Sequence, residues 1–459
     1  MTALSTSVAK AVTQLGKTFA GQFLQPTDPG YEEARRVHNG LVDKRPALIA
    51  RCRGVADIVE AVHLARTLNL EVAVRGGGHN VAGRATVDGG LMLDLSLMKG
   101  IHVDAKTRTA RAQGGVTWGE FNRETQLHGL ATTGGVVSTT GIAGLTLGGG
   151  IGWLMGKYGL ALDNLASVEL VTADGRPLRV SEDENADLFW AVRGGGGNFG
   201  IAASLEYRLH TVGPTVTGGV VFWPLHAARD VLRLFRELAA SASDDLMLVA
   251  SVVGAPDGSG VKTASIAACH CGALRDGEAA VRPIKDFGTP VTGMVGPMTY
   301  CDVNAMLDAG YPKGALNYWK SHFLPDLTDA AIDTIVDAFE RCPSPMSEIM
   351  LERFHGAVTR VGTGDTAFPL RAAGYNLLVL SQWMSPADSE PCIAWARETY
   401  AAMQPFVGVG RYVNYLDHDE AGDAVTAAYG LNYRRLQALK ARYDPSNFFH
   451  MNQNIRPVS

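Results

Sequence analysis

Residues 70–80 read Leu70-Glu71-Val72-Ala73-Val74-Arg75-Gly76-Gly77-Gly78-His79-Asn80. The run through Val74 predicts a strand, and three glycines in a row then strip every Cβ from the turn that follows. Backbone N–H groups in such a turn can close around a phosphate with no side chain in the way. His79 stands at the rim of that nest, where a ring system carried on the phosphates could lie against its imidazole. A pyrophosphate cradle ending in a nucleophilic histidine is the feature around which the rest of the chain is read.

Two further glycine clusters lie downstream. Gly141-Ile142-Ala143-Gly144-Leu145-Thr146-Leu147-Gly148-Gly149-Gly150-Ile151-Gly152 follows Ser138-Thr139-Thr140, and Gly194-Gly195-Gly196-Gly197-Asn198-Phe199-Gly200 precedes Ile201. The chain holds 53 glycines in 459 residues without a collagen-like period, so their clustering points to close backbone approach to a large ligand. A Rossmann site would set G-x-G-x-x-G between a strand and a helix, with an acidic residue about 20 positions on. Here Asn80-Val81-Ala82-Gly83-Arg84 opens no convincing helix, and no strong strand directly precedes the second cluster. Tight turns alone explain one cluster but not three, each beside polar residues suited to a ligand.

Composition narrows the remaining classes. Hydrophobic residues at 46% and charged residues at 19% are ordinary for a soluble globular chain. A net charge of −5 without a basic run gives no reason to expect nucleic acid or an anionic membrane surface. No stretch approaches about 18 uninterrupted apolar residues, so no membrane span is expected. Lys10, Gln14 and Lys17 interrupt the N-terminus, which predicts a helix near 5–20 instead of a secretory signal. The six cysteines show no framework spacing and fit reduced thiols and a cytoplasmic location. Cys269-His270-Cys271 would point two thiols one way in a strand. Without a second ligand pair the expectation is buried cysteines and no metal site.

Elements alternate helix and strand through residue 75: a helix through Tyr31–Asn39, a strand at Ala47–Cys52, a helix from Ala56 to Leu68, then the strand ending at Val74. Short strands follow to Arg208. After Val212-Gly213-Pro214 longer strands alternate with amphipathic helices, which predicts an antiparallel sheet with helices on one face. The tail carries a polar-aromatic strand over Gly410–Asp417, a helix near Tyr433–Ala441, and the ending Asn452-Gln453-Asn454.

Taken in order, the three glycine motifs and the final Asn-x-Asn resemble the FAD-linked oxidases of the vanillyl-alcohol-oxidase type. Within them they are most similar to the berberine-bridge-enzyme-like branch and its singly histidine-linked bacterial members. The resemblance covers nearly the whole chain and implies an α+β fold. A PCMH-type FAD-binding domain would span 1–213, with its core about 43–213. A substrate-binding domain with the helix-covered antiparallel sheet would span 214–409, and 410–459 would return to the cofactor. It also implies FAD joined covalently to His79. The groups around it would be Arg75, Gly76, Gly77, Gly78, Asn80, Ser138, Thr140, Gly141, Gly144, Gly149, Gly150 and Gly152, then Asn198, Gly200, Ile201, Asn414, Asn452 and Asn454. Many members add a second link through a cysteine four residues before the glycine matching Gly141. Val137 stands there, so one link is expected.

The substrate side departs from the plant members, whose basic glutamate matches Asn376 when aligned on Trp383. An amide takes no proton at neutral pH. Alternation in Glu348–Phe354 sets Ile349 and Leu351 on one face and Glu348, Met350, Glu352 and Phe354 on the other. With the apolar pair under the helices, Glu352 faces the cofactor beside Asn376, Leu378 and Gln382. The alternative is a salt bridge from Glu352 to Arg360 or Arg371. Tyr415 matches the family's basic tyrosine. In an extended strand Tyr412 and Asn414 share one face and Tyr415 takes the other, so the two tyrosines should not both point inward. The expected activity is a secondary-metabolism oxidase that passes hydride from an alcohol, amine, or phenolic or polycyclic donor to flavin N5. Dioxygen then leaves as H2O2, with Tyr415, Glu352 and Asn376 as the catalytic group. A dehydrogenase with another acceptor and a biosynthetic flavin oxygenase are the alternatives. By resemblance Thr139, Thr140 and Leu145 neighbour the oxygen-reactive edge. A wall of Met350, Phe354, Leu378 and Leu380 suits an aromatic donor better than a sugar. The small-molecule substrate and O2 are the only partners expected, and oligomeric state is not readable.

Overall fold

Three larger sheets draw on consecutive stretches of the chain, and a fourth is the short pairing of Leu130–Ala131 with His210–Thr211. They are seen in a computed structural model that describes residues 8, 10, 12, 13, 18–420 and 424–458, so the helix expected near 5–20 lies largely outside the described residues. In the first sheet Val72–Arg75 runs parallel to Leu91–Asp94, which runs parallel to Leu48–Arg51, and Gln22–Leu24 adds an antiparallel edge. The crossover helix Val55–Thr67 buries Ile58, Ala61, Val62 and Ala65 against Leu48, Val72, Leu91 and Leu93. The helix expected through Tyr31–Asn39 stops at Ala34. Beyond it the chain turns, and the carbonyls of Ala34 and Arg36 accept from Arg75 Nη1.

The second sheet is antiparallel, in the order Ile101–Asp104, Thr109–Gln113, Ile201–Arg208, Leu165–Val171, Pro177–Ser181. Helix Trp118–Gln126 starts on a reciprocal cap between Thr117 and Glu120 and packs Trp118 and Phe121 against Tyr207. Glycine limits helix in 134–159 to the short pieces Ile142–Leu147 and Met155–Tyr158.

The third sheet has seven antiparallel strands, ordered Thr292–Thr299, Thr215–Pro224, Lys262–His270, Leu246–Gly254, Glu348–Phe354, Gly374–Trp383, Leu316–Leu324. The period-2 rule sorts its faces. Leu246, Leu248, Ala250 and Val252, with Ile349 and Leu351, pack under the helices Ala228–Ser241, Asp329–Glu340 and Ser389–Met403. Met247, Val249, Met350 and Leu378 face the other way and close over Val136, Val137, Ile151 and Trp153 of the glycine-rich segment 134–159. Across that boundary Arg371 grips both oxygens of Asp163 at 2.8 and 2.9 Å, with both side chains nearly enclosed. Cys269 and Cys271 lie in the same apolar layer, and burial pushes the Cys271 thiol up to about 12.

The tail departs from the expected strand. Val413–Tyr415 is a turn of 3-10 helix and not part of a strand. Further on, buried Lys440 donates to Asp444 and to the carbonyls of Asn198 and Phe449. Asn198 donates to Gly195 O and Gln453 O and accepts from the Ile455 amide. Among the described residues no helix is long and apolar enough to cross a membrane.

Candidate active site

The glycine loop after Val72–Arg75 meets the segment 137–145 under the third sheet, and a cleft opens between them. Its floor is Gly76, Gly77, Gly141 and Gly144, and its roof is Met350, Leu378 and Trp319. His79 projects into it. The Thr139 hydroxyl lies 3.0 Å from Nε2 and the Thr140 hydroxyl 3.4 Å from Nδ1. Its ring stacks on His38, with centroids 4.0 Å apart and planes at 22°. Burial, and then the facing His38, pulls His79 down to about 3, while burial and Lys313 pull His38 to about 4. Both imidazoles are therefore neutral near pH 7, the form in which a ring nitrogen is a nucleophile.

The trench has the shape a dinucleotide needs. A Cβ built on Gly144 would meet nothing within 4 Å, so that position faces open space. Gly76 and Gly144 also border a second cavity, walled by Val72, Leu95, Gly200, Ile201 and Asn452. One elongated ligand can thus run from His79 past bare backbone to the Ile201 side. Asn80 and Asn414 line the His79 end, and Asn414 Nδ2 donates to Leu145 O and to the Tyr412 oxygen. Asn454 borders a neighbouring hollow with Arg84 and Asp417, and its buried Oδ1 has no partner among the described residues. These residues fit FAD.

Other residues expected around the cofactor have different work. The Arg75 guanidinium turns to Asp94, at 2.9 and 2.5 Å. The Ser138 amide and hydroxyl are both bound to Asp308. Asn198 staples the third glycine run to the tail. Gly149 and Gly150 hold positive φ, at 140° and 98°. A Cβ on Gly149 would strike Tyr412 and Phe368, one on Gly150 would strike Ala161, and one on Gly152 would fall 1.5 Å from Gly134 O. Protein packing accounts for these three glycines, while Gly141 and Gly144 of the second cluster line the cleft.

On the roof, Glu352 is wholly buried. Its Oε2 accepts from Asn376 Nδ2 at 2.7 Å and its Oε1 from the Tyr415 hydroxyl at 3.3 Å. Burial pushes the carboxyl up to about 7 against the pull of those two hydrogen bonds. Burial, then the Glu352 charge, raises the Tyr415 phenol well above its usual value. Arg371 is held by Asp163 and Arg360 by Asp244, so neither arginine pairs with Glu352. Asn376 has no proton to take or give in exchange, and it orients the carboxylate.

The expectation that Tyr412 and Tyr415 face opposite ways is overturned. In a 3-10 turn residues i and i+3 eclipse. Both tyrosines therefore enter the cleft, with rings 4.8 Å apart and edge to face. Tyr412 Oη accepts from the Gly150 amide at 3.0 Å, and the Trp319 ring packs edge-on against Tyr415. Met350 and Leu378 line the cleft, while Phe354 and Leu380 lie in the apolar layer around it. His38, Tyr311 and Trp319 were missed. Alternation in Leu316–Leu324 could have found Trp319, since it stands opposite Leu380. The other two stand outside any regular strand or helix and leave no periodic signal.

Fold and cleft together are those of a flavin-binding oxidoreductase. Residues 46–181 match the FAD binding domain family, and 411–456 match the family described as berberine and berberine like. The chain is 33% identical over 452 residues to (R)-6-hydroxynicotine oxidase of Paenarthrobacter nicotinovorans, covering 95% of this chain and 97% of that one. It is 32% identical over 415 residues to an FAD-linked oxidoreductase of Dictyostelium discoideum, covering 90% and 89%. The crystal structure of 6-hydroxy-D-nicotine oxidase from Arthrobacter nicotinovorans superposes with a TM-score of 0.87 at 30% identity, covering 96% and 99%. The chain belongs to the berberine-bridge-enzyme-like FAD-linked oxidoreductases.

Proposed function

We propose that the protein is an oxidase of small aromatic or polycyclic alcohols, amines or phenols, with FAD attached through His79 alone. The observation that carries this reading is the Tyr415–Glu352 pair, whose tyrosine opens on the same cleft as a neutral His79. Bound FAD would supply the two-electron acceptor, taking hydride from the donor carbon and handing the electrons to O2 as H2O2.

The chain's own groups do the rest. A donor O–H or N–H hydrogen-bonds to the Tyr415 oxygen. As the C–H bond breaks, that proton moves to Tyr415 while the Tyr415 proton moves to Glu352 Oε1. Asn376 holds the other carboxylate oxygen in place throughout. Met350, Leu378 and Trp319 exclude water and press a planar donor toward the trench floor. Val137 lines the cleft where many relatives carry a second attachment, and no cysteine is among the lining residues described.

Acid precipitation tests the reading. Yellow colour should stay with the wild-type polypeptide and leave His79→Ala. Donor oxidation should release one H2O2 per molecule consumed. Colourless protein, or colour shed from the wild type, overturns the attachment, and turnover without peroxide overturns the oxidase.

A further inference from the structure

A second carboxylate–phenol pair faces the same cleft. Tyr311 lines it and donates its hydroxyl proton to Glu348 Oε2 at 2.8 Å. The other Glu348 oxygen accepts from Ser251 Oγ. Glu348 and Glu352 share one face of the strand Glu348–Phe354, four residues apart, about 13 Å along an extended chain. Burial raises both Glu348 and Tyr311, the latter well above its usual value, so Tyr311 stays a neutral phenol.

We propose that Tyr311, its proton held by Glu348, is a second recognition point that reads an O–H or N–H group at the end of the substrate remote from the bond oxidised at Tyr415. The proposal rests on the oxidase reading and deepens it to a substrate class: an elongated apolar donor with a hydrogen-bond donor at each end.

The chemistry is one of exclusion. A phenol has one proton, and the Tyr311 proton is directed at Glu348, so only lone pairs remain for a ligand. A substrate hydroxyl or amine can donate to them. An ether, carbonyl or carboxylate at the same position meets lone pair against lone pair. No lysine or arginine is among the described residues lining the cleft itself; Lys313 borders the adjoining cavity that Tyr311 shares. A site built to accept a hydrogen bond rejects the analogue lacking it far better than an apolar pocket rejects a methyl group.

The test is calorimetric titration of the flavin-loaded enzyme under nitrogen with 2,6-dihydroxynaphthalene, 6-methoxy-2-naphthol and 2,6-dimethoxynaphthalene. Wild type should bind the dihydroxy compound at least tenfold tighter than the monomethoxy compound, and the dimethoxy compound more weakly again. Tyr311→Phe should bring the first two within twofold of each other, because each still offers one hydroxyl to Tyr415. Glu348→Ala frees the Tyr311 proton to turn into the cleft, and the monomethoxy compound should then gain affinity. Melting temperature and flavin absorbance report whether each variant is folded, and either variant alone decides the matter. The proposal is overturned if Tyr311→Phe keeps the tenfold preference, if wild type binds the two naphthols alike, or if it binds none of the three. Flavin absorbance followed in parallel separates heat of binding from any flavin reduction, so an enzyme that stays yellow and binds both naphthols alike fails only here. One that prefers the dihydroxy compound yet makes no peroxide with any donor fails only as an oxidase.

Discussion

Gly77 and Gly141 meet backbone to backbone: a Cβ on either would fall 2.4 Å from the other's amide nitrogen. Two loops far apart in sequence are thereby locked into one floor. Gly144, three residues on, faces only open space. Gly77→Ala or Gly141→Ala should force the loops apart at a cost of about 1–3 kcal/mol, the usual range for overpacking. Gly144→Ala should leave the melting temperature of the flavin-free protein unchanged while its methyl group narrows the trench and lowers FAD incorporation. Calorimetry and the ratio of flavin to protein absorbance separate the two outcomes.

Glu352 sets the pH dependence. It acts as proton acceptor only when ionised, and burial raises it to about 7. Anaerobic reduction of the flavin by donor should therefore quicken as pH rises through about 7. Glu352→Gln should flatten that profile and slow reduction by roughly 10²-fold or more. Stability runs the other way. The folded state holds this proton more tightly than the unfolded chain, so the contribution is complete below about 4.5 and is lost as pH rises through about 7. Its size is about 3 kcal/mol. Urea midpoints of Glu352→Gln should exceed those of the wild type at pH 8 and converge with them by pH 4.

Tyr412 and Tyr415 share the cleft but not the task. Tyr415→Phe removes the group between substrate and Glu352, so reduction should fall by about 10²–10⁴-fold with little change in melting temperature. Tyr412→Phe strands the buried Gly150 amide and should cost about 1–3 kcal/mol of stability. Its reduction rate should stay within tenfold of wild type. Stopped-flow reduction and thermal melts on the two variants distinguish the roles.

Leu145 lines the cleft beside Gly144. Leu145→Trp should slow the return of yellow colour when reduced enzyme is mixed with air, and leave anaerobic reduction by donor unchanged. Reoxidation at the parent rate would remove Leu145 from the path of dioxygen.

What the residues alone determined was everything local in cause. A strand ending in three glycines and a histidine needs no distant partner to make an open nest. The period of two in Glu348–Phe354 put Glu352 on the cleft side because side chains of an extended chain alternate wherever the strand lies. Tertiary contacts decided the rest. Alternation could not foresee that Val413–Tyr415 would wind into a 3-10 turn and bring both tyrosines inward, since that winding goes with the Tyr412 bond to Gly150, 262 positions away. Nor could spacing show that Ser138 answers to Asp308 or that Gly152 makes room for Gly134 O. A glycine that receives a phosphate and one that receives a neighbouring strand look the same in sequence. Only the packed chain fills the space where the missing Cβ would stand, and so tells them apart.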